Sequence, residues 1–270
     1  MSQAKTAILV ASFAKNSGVW GLCDFFLRKH WPDMPYEVDL GANGEDRAAA
    51  VPAGWKYLNL GPDRSWGESM REYLAAMPVD SVFLLLDDFL LSSKPNAEDI
   101  AAAARLVEED RADYVILHAK RSPGRPVDGR FARVRRYDDS LTTLKPEIWN
   151  KAFFARLLGL GLDPWEFERK AYLFAEARKG RYLAVREDAF PIRHCLEKGR
   201  YQPWLADYLR EEGCAIPLDP ARPVLTPADL AARRKPIGPL RKAFFRLFEH
   251  GYPNYLAKKA AFALARRRRA

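Results

Sequence analysis

The sequence predicts an α/β protein: a mostly parallel sheet flanked by helices, followed by a C-terminal basic amphipathic helical tail. Three observations predict it. Strand-like and helix-like segments alternate through the first 120 residues, which implies parallel strands joined by helical crossovers. The run Val82-Phe83-Leu84-Leu85-Leu86 ends abruptly in Asp87-Asp88, as a strand buried on both faces ends at a sheet edge. Residues 233–270 hold twelve Lys/Arg against one acid, Glu249.

The elements follow in order. Ala7–Phe13, Tyr36–Leu40, Trp55–Leu60, Val82–Leu86 and Tyr114–Leu117 read as strands. Gly18–Arg28, Gly67–Ala76 and Ala97–Asp110 read as the helices between them. In the last, Asn96 is placed as a cap, and Ile100, Ala103, Ala104 and Val107 share a face. The pattern changes after residue 120. Residues 121–126 form a basic, turn-rich loop, and Phe131–Tyr137 alternates like an exposed strand. A helix is expected after Pro146, carrying Ile148, Trp149, Phe153 and Phe154, and a second over Trp165–Arg178. Tyr182–Glu187 reads as a strand, and Tyr201–Glu212 as a helix stopped by Gly213. Pro217, Pro220, Pro223 and Pro227 mark a linker. The expected division is a globular domain over 1–215, a Pro-rich linker over 216–235 and amphipathic helices over 236–270.

Composition sets bounds. The 270 residues are 48% apolar and 12% aromatic, which excludes a disordered chain. Cys23, Cys195 and Cys214 are odd in number and lack metal-like spacing, so they read as reduced thiols of a cytoplasmic protein. The first apolar stretch is too short for a signal peptide. No segment reaches the roughly 20 apolar residues needed to span a bilayer. The net charge of +9 is a property of the tail, which alone carries +11 and leaves −2 for the rest.

Within the tail, Leu240, Ala243, Phe244, Leu247 and Phe248 recur at helical spacing with Arg241, Lys242 and Arg246 between them. A second apolar stretch, residues 255–265, contains Lys258-Lys259 and ends in four arginines. Such segments lie on an anionic membrane surface, each basic residue adding about 1 kcal/mol. The aromatic-rich apolar face favours membrane over nucleic acid, and the third reading is a solvated helix packed on the core. The expected location is the inner face of the cytoplasmic membrane, attached peripherally.

Four clusters carry chemistry. Asp87 and Asp88 are like charges at a strand end, where open α/β sheets bind ligands. Either Mn²⁺ or Mg²⁺, held by one or two carboxylates plus phosphate oxygens, relieves their repulsion, or the pair is a strand exit with solvated acids. In Asp163-Pro164-Trp165-Glu166-Phe167-Glu168, Pro164 suits a first helical turn. Glu166 and Glu168 point different ways on a helix, so one of them faces a pocket and serves as general base, or both are ordinary first-turn acids. In His194-Cys195-Leu196-Glu197-Lys198-Gly199-Arg200, His194 is a metal-ligand candidate and Lys198 and Arg200 are phosphate-binding candidates, or the segment is a basic surface turn. In the loop Asp63-Arg64-Ser65-Trp66, Trp66 either stacks on a base or packs in the core.

The order Ser-Trp-Gly-Glu-Ser, Val-Phe-Leu-Leu-Leu-Asp-Asp-Phe, Leu-Lys-Pro-Glu-Ile-Trp-Asn-Lys and Asp-Pro-Trp-Glu-Phe-Glu resembles bacterial glycosyltransferases of the GT-A, nucleotide-diphospho-sugar transferase class, linked to surface polysaccharide (capsule or LPS) synthesis. The resemblance covers roughly residues 7–205. It implies a GT-A-like, Rossmann-like sheet and transfer of a sugar from a nucleotide-diphosphate donor to a glycan or lipid-linked acceptor, by single displacement. By resemblance, Asp87 and Asp88 stand at the metal and nucleotide-sugar motif, and Glu166 or Glu168 is the acceptor-side base. His194 is a late metal ligand, and Ser12 and Phe13 contact base and ribose. Arg64, Ser65, Trp66, Lys198 and Arg200 complete the donor set. The alternatives are a sugar nucleotidyltransferase and a non-catalytic membrane- or nucleic-acid-binding module.

Overall fold

The computed structural model describes residues 5–119, 124–138, 141–214 and 216–229, with 255, 256, 258–260 and 262 of the tail. In chain order its strands are β1 (Thr6–Ala11), β2 (Val38–Gly41), β3 (Lys56–Leu58), β4 (Ser81–Leu86), β5 (Phe89–Leu91) and β6 (Tyr114–Ile116). They continue with β7 (Phe131–Arg133), β8 (Glu147–Asn150), β9 (Tyr182–Val185), β10 (Ile192–His194), β11 (Leu196–Glu197) and β12 (Arg200–Tyr201). The α-helices are α1 (Ser17–His30), α2 (Trp66–Ala76), α3 (Ala97–Glu108), α4 (Lys151–Leu158), α5 (Pro164–Lys170), α6 (Ala175–Arg178) and α7 (Pro203–Glu211).

Among the described residues the main sheet has eight strands in the order β3-β2-β1-β4-β8-β6-β9-β7. Strands β7 and β8 run against the rest. Side chains alternate across a strand, and this builds two cores. Ile8 and Val10 of β1, with Phe83 and Leu85 of β4, meet Trp20 of α1, Ile100 of α3 and Leu205 of α7. Leu9, Val82 and Leu84 face the other way, toward Met70 of α2, Phe154 of α4 and Phe167 of α5. The chain is thus an α/β protein with a mostly parallel sheet covered on both faces.

Four expectations are corrected. Ile148 and Trp149 belong to β8, not to a helix. Each fills a different core, so two adjacent apolar residues fit a doubly buried strand better than one helix face. The helix begins at Lys151, where the Asn150 side chain accepts from the Phe153 amide at 2.9 Å. The expected helix over Trp165–Arg178 is broken at Ala171–Leu173 by a 3₁₀ turn. The strand expected over Phe131–Tyr137 is three residues long, and Phe131 and Ala132 are buried, not exposed. Tyr201 lies in β12, and Pro203 opens α7.

The segment expected as a linker packs, over 216–229, against the body. The Tyr201 amide donates to the Pro223 carbonyl at 3.1 Å, and the Leu225 amide to the Tyr201 carbonyl at 2.9 Å. Leu225 is buried. The tail segment 236–254 lies outside the described residues. Beyond it, Tyr255 is buried, 4.9 Å from the Tyr137 ring and 4.8 Å from the Arg178 guanidinium. Phe262 meets Phe174 at 5.6 Å. No described helix is long and apolar enough to cross a membrane.

Candidate active site

The register of the sheet creates the site. Ala11 pairs with Leu86 in the parallel β1–β4 ladder, so the next residues, Ser12 and Asp87, leave the sheet side by side. The Ser12 hydroxyl donates to Asp87 Oδ2. Asn16 Nδ2 donates to Asp87 Oδ1 at 3.3 Å. Trp20 Nε1 donates to Ser12 Oγ at 2.7 Å. An indole N–H can only donate, so it occupies a Ser12 lone pair and leaves the hydroxyl hydrogen for Asp87.

Asp87 and Asp88 form a turn between β4 and β5. Burial pushes the Asp87 carboxyl up to about 7, and the neighbouring Asp88 charge adds to this. The hydrogen bonds from Ser12 and Asn16 and the charge of Arg222 work in the opposite direction. Burial pushes Asp88 up to about 6. Two carboxyls poised near neutrality beside each other form a site that gains from a cation.

Residues from three other strand ends share this edge. The Asn43 amide donates to the Tyr73 hydroxyl at 2.7 Å, and Asn43 Oδ1 accepts from the Leu60 amide at 2.9 Å. Gly41 makes this possible, since a Cβ there would lie 2.5 Å from the Tyr73 ring. The Gly44 amide donates to the Gly61 carbonyl at 2.9 Å. Phe13, just past β1, is 44% exposed, and Leu60, just past β3, is 43% exposed. Phe13, held open next to Ser12 at the acidic pair, suits a flat, partly apolar ligand such as a nucleobase.

The remaining expected residues fall into different roles. Arg64 pairs with Glu72 at 3.0 Å. Ser65 caps α2, accepting from the Glu68 amide at 3.3 Å while its own amide donates to the Glu68 carboxylate at 3.2 Å. Trp66, half-buried, meets Phe167 in a T-shaped contact at 5.3 Å, as core packing would have it. Lys198 is exposed in a tight turn with Gly199, at φ +52° and +75°, between β11 and β12. Arg200 is committed to both oxygens of Asp229, at 2.7 and 2.8 Å, and to that extent is not available to a phosphate.

His194 sits across from Phe89 in the β5–β10 pair, with the rings 4.1 Å apart. Burial and the Lys145 charge lower its pKa. Among the described residues, no three His, Cys, Asp or Glu side chains gather as a ligand set, so Asp87, Asp88 and His194 do not form the expected trio. The acidic pair alone still fits a hard divalent ion, which takes one or two carboxylates and completes its shell with phosphate oxygens.

Glu168 and Glu166 part as helix geometry requires. Glu168 Oε1 accepts from the Leu144 amide at 3.0 Å. Glu166 pairs along α5 with Lys170 at 2.5 Å. Sequence reasoning missed three residues: Asn16, Arg222 and Glu147. Glu147 is buried and receives the Tyr114 hydroxyl at 2.6 Å, Trp149 Nε1 at 2.9 Å and the Thr143 hydroxyl at 3.3 Å. Burial raises its pKa well above the usual range. A lone acid in the apolar stretch after Pro146 was the available signal.

Solved structures of similar fold include S. aureus TarS residues 1–349 in complex with UDP-GlcNAc, at 17% identity and TM-score 0.49, covering 73% of this chain and 60% of that one. The bifunctional IspDF from Campylobacter jejuni matches at 11% identity and TM-score 0.44, covering 71% and 52%. A UDP-glucose pyrophosphorylase complexed with UDP-glucose matches at 10% and 0.45, covering 71% and 92%. The chain spans only 36% of the longer TarS chain. Likeness at this level concerns the fold and assigns neither activity nor substrate. No family model and no curated protein matches the chain.

Proposed function

We propose that this protein is a metal-dependent glycosyltransferase that moves a sugar from a nucleotide-diphosphate donor to a hydroxyl of a glycan or lipid-linked acceptor in surface polysaccharide synthesis. The observation that carries the reading is the Asp87–Asp88 turn, oriented by Ser12 and Asn16 at the C-terminal edge of β4. Its two carboxylates would hold Mn²⁺ or Mg²⁺, and the ion would supply charge stabilisation for the departing diphosphate. Phe13 and the 42–44 and 60–64 loops would hold the base and ribose. Lys198 remains an exposed cation for phosphate, while Arg200 is paired with Asp229. His194 is left as a neighbour of the pair and not as its third ligand.

Of the two acceptor-side acids, Glu168 is favoured as the base. Its carboxylate is fixed by the Leu144 amide on the loop entering β8, whereas Glu166 is engaged by Lys170. In an inverting displacement, the base takes the acceptor hydroxyl proton, the acceptor oxygen bonds to the anomeric carbon, and that carbon's bond to the diphosphate oxygen breaks to release nucleoside diphosphate.

The test is the double variant Asp87→Ala/Asp88→Ala. It is expected to lose nucleotide-sugar binding in the presence of Mn²⁺ or Mg²⁺ while keeping its circular dichroism spectrum. Undiminished binding of each donor tried would place the site elsewhere. Product analysis separates the rival chemistry: a glycosyltransferase releases nucleoside diphosphate, a nucleotidyltransferase pyrophosphate.

A further inference from the structure

Residues 216–229 lie as a strap across the start of α1. The strap is tied at one end by the Arg200–Asp229 pair and in the middle by its backbone bonds to Tyr201. Near its centre, Arg222 reaches inward, with a side chain only 13% exposed. One of its terminal nitrogens donates to the Lys15 carbonyl and to Asn16 Oδ1, each at 2.6 Å. Asp219 pairs with the same guanidinium at 3.7 Å and also packs against Gly18 of α1, where an added Cβ would lie 3.1 Å from the Asp219 Cβ.

A primary amide has one accepting end and one donating end, and a guanidinium can only donate. Arg222 therefore dictates which way the Asn16 amide faces. With its oxygen on Arg222, its N–H must point to Asp87, as observed at 3.3 Å. Rotated by 180°, the amide would set N–H against N–H and oxygen against carboxylate. Arg222 is also close enough for its charge to lower the Asp87 pKa.

We infer that Arg222 is a positioning residue for the donor site, acting through Asn16. The strap is then a functional wall of that site and not a spacer to the tail. The inference rests on the Asp87–Asp88 reading above and adds to it an origin for the orientation of the acidic pair.

The test is a double-mutant cycle on the full chain with Arg222→Ala, Asn16→Ala and both together. Mn²⁺ is titrated alone and with UDP, read by loss of the free Mn²⁺ resonance, with Tm measured alongside. Each single variant is expected to weaken Mn²⁺ binding about tenfold, the scale of one lost charge-assisted hydrogen bond. The double variant should be no weaker than Asn16→Ala alone, because residues acting in series do not add. Arg222→Lys, which keeps a donor for the Asn16 oxygen, should recover part of the loss and covers the case in which Arg222→Ala misfolds. Fully additive losses would overturn the inference, since Arg222 would then act independently of Asn16. A lower Tm with unchanged Mn²⁺ affinity would also overturn it and reduce the strap to packing. If the unaltered protein binds no Mn²⁺ under either condition, the donor-site reading falls and this inference falls with it. Binding by the unaltered protein with unchanged variants sinks this inference alone.

Discussion

Asp87 has one oxygen on the Ser12 hydroxyl and the other near the Asn16 amide, yet burial still wins and lifts its carboxyl to about 7. This has a sign that can be checked. A carboxyl with a raised pKa in the folded state binds more protons folded than unfolded, so stability falls as pH rises. The contribution is fully present below about pH 4, the ordinary aspartate value, and is lost as pH passes through about 6 to 7. Metal-free protein should therefore lose Tm across that window, and Asp87→Asn/Asp88→Asn should flatten the decline. Mn²⁺ with UDP should raise Tm more above the window than below it, because the ion competes with protons for the same oxygens. A metal-induced Tm gain that is equal on both sides would refute the pair as ligands. For the acceptor side, Glu168→Gln should abolish turnover and spare donor binding, while Glu166→Gln should change turnover by less than about tenfold. The reverse ranking would move the base to Glu166.

At the scale of elements, the strap makes the sharpest forecast. Asp229→Asn removes the charge that holds Arg200 and whose own pKa is lowered by that pairing. The pair is partly exposed, so solvent screening leaves it little weight in global stability. Limited proteolysis should nonetheless show faster cleavage within 216–229 if this tie holds the strap down. An unchanged cleavage rate would show that Leu225 and the backbone bonds suffice. The elements differ in how far the chain announced them. The parallel half was readable, because Val82–Leu86 is a continuous apolar run and α3 has both its cap and its stripe. Strand β8 was not, since an antiparallel strand inserted between two parallel ones has the same apolar density as a helix start. The strap was hidden by its own prolines, which mark a break in helix and strand but say nothing about packing. Asp87 and Asp88 could be chosen as a pair from their position. Their orienting partners could not, because Asn16 and Arg222 meet only through a fold that joins residues more than 200 positions apart.

For the whole molecule, the question is what the basic tail touches. Two of its aromatic side chains, Tyr255 and Phe262, are engaged with Arg178 of α6 and Lys170 of α5, so this stretch has less apolar surface to offer a bilayer than its sequence suggests. Attachment to an anionic membrane would then lean on charge, with Lys258 and Lys259 among the contributors. Sedimentation with anionic vesicles should be strong at low salt and fall steeply toward about 0.5 M, as screening shortens the reach of surface charges. A chain ending near residue 235 should stay in the supernatant. Retained binding of that shortened chain would exclude the tail as the anchor. Binding that ignores both salt and vesicle charge would favour insertion of the Phe-rich stretch 240–248.

The turn at Asp87-Asp88 is also a splice between two sheets. The chain leaves the main sheet at Leu86 and two residues later joins a separate pair with β10, where the Cys195 amide donates to the Asp88 carbonyl at 2.9 Å. A ligand that steadies the acidic turn must therefore steady the small β5–β10 sheet, with no side-chain relay needed. Amide hydrogen exchange offers a reporter for this. The Cys195 N–H, whose acceptor is the Asp88 carbonyl, should exchange more slowly when Mn²⁺ and a nucleotide are bound. Cys195 would thus record occupancy of the site from inside the protein, as a backbone clock set by its neighbour across the splice.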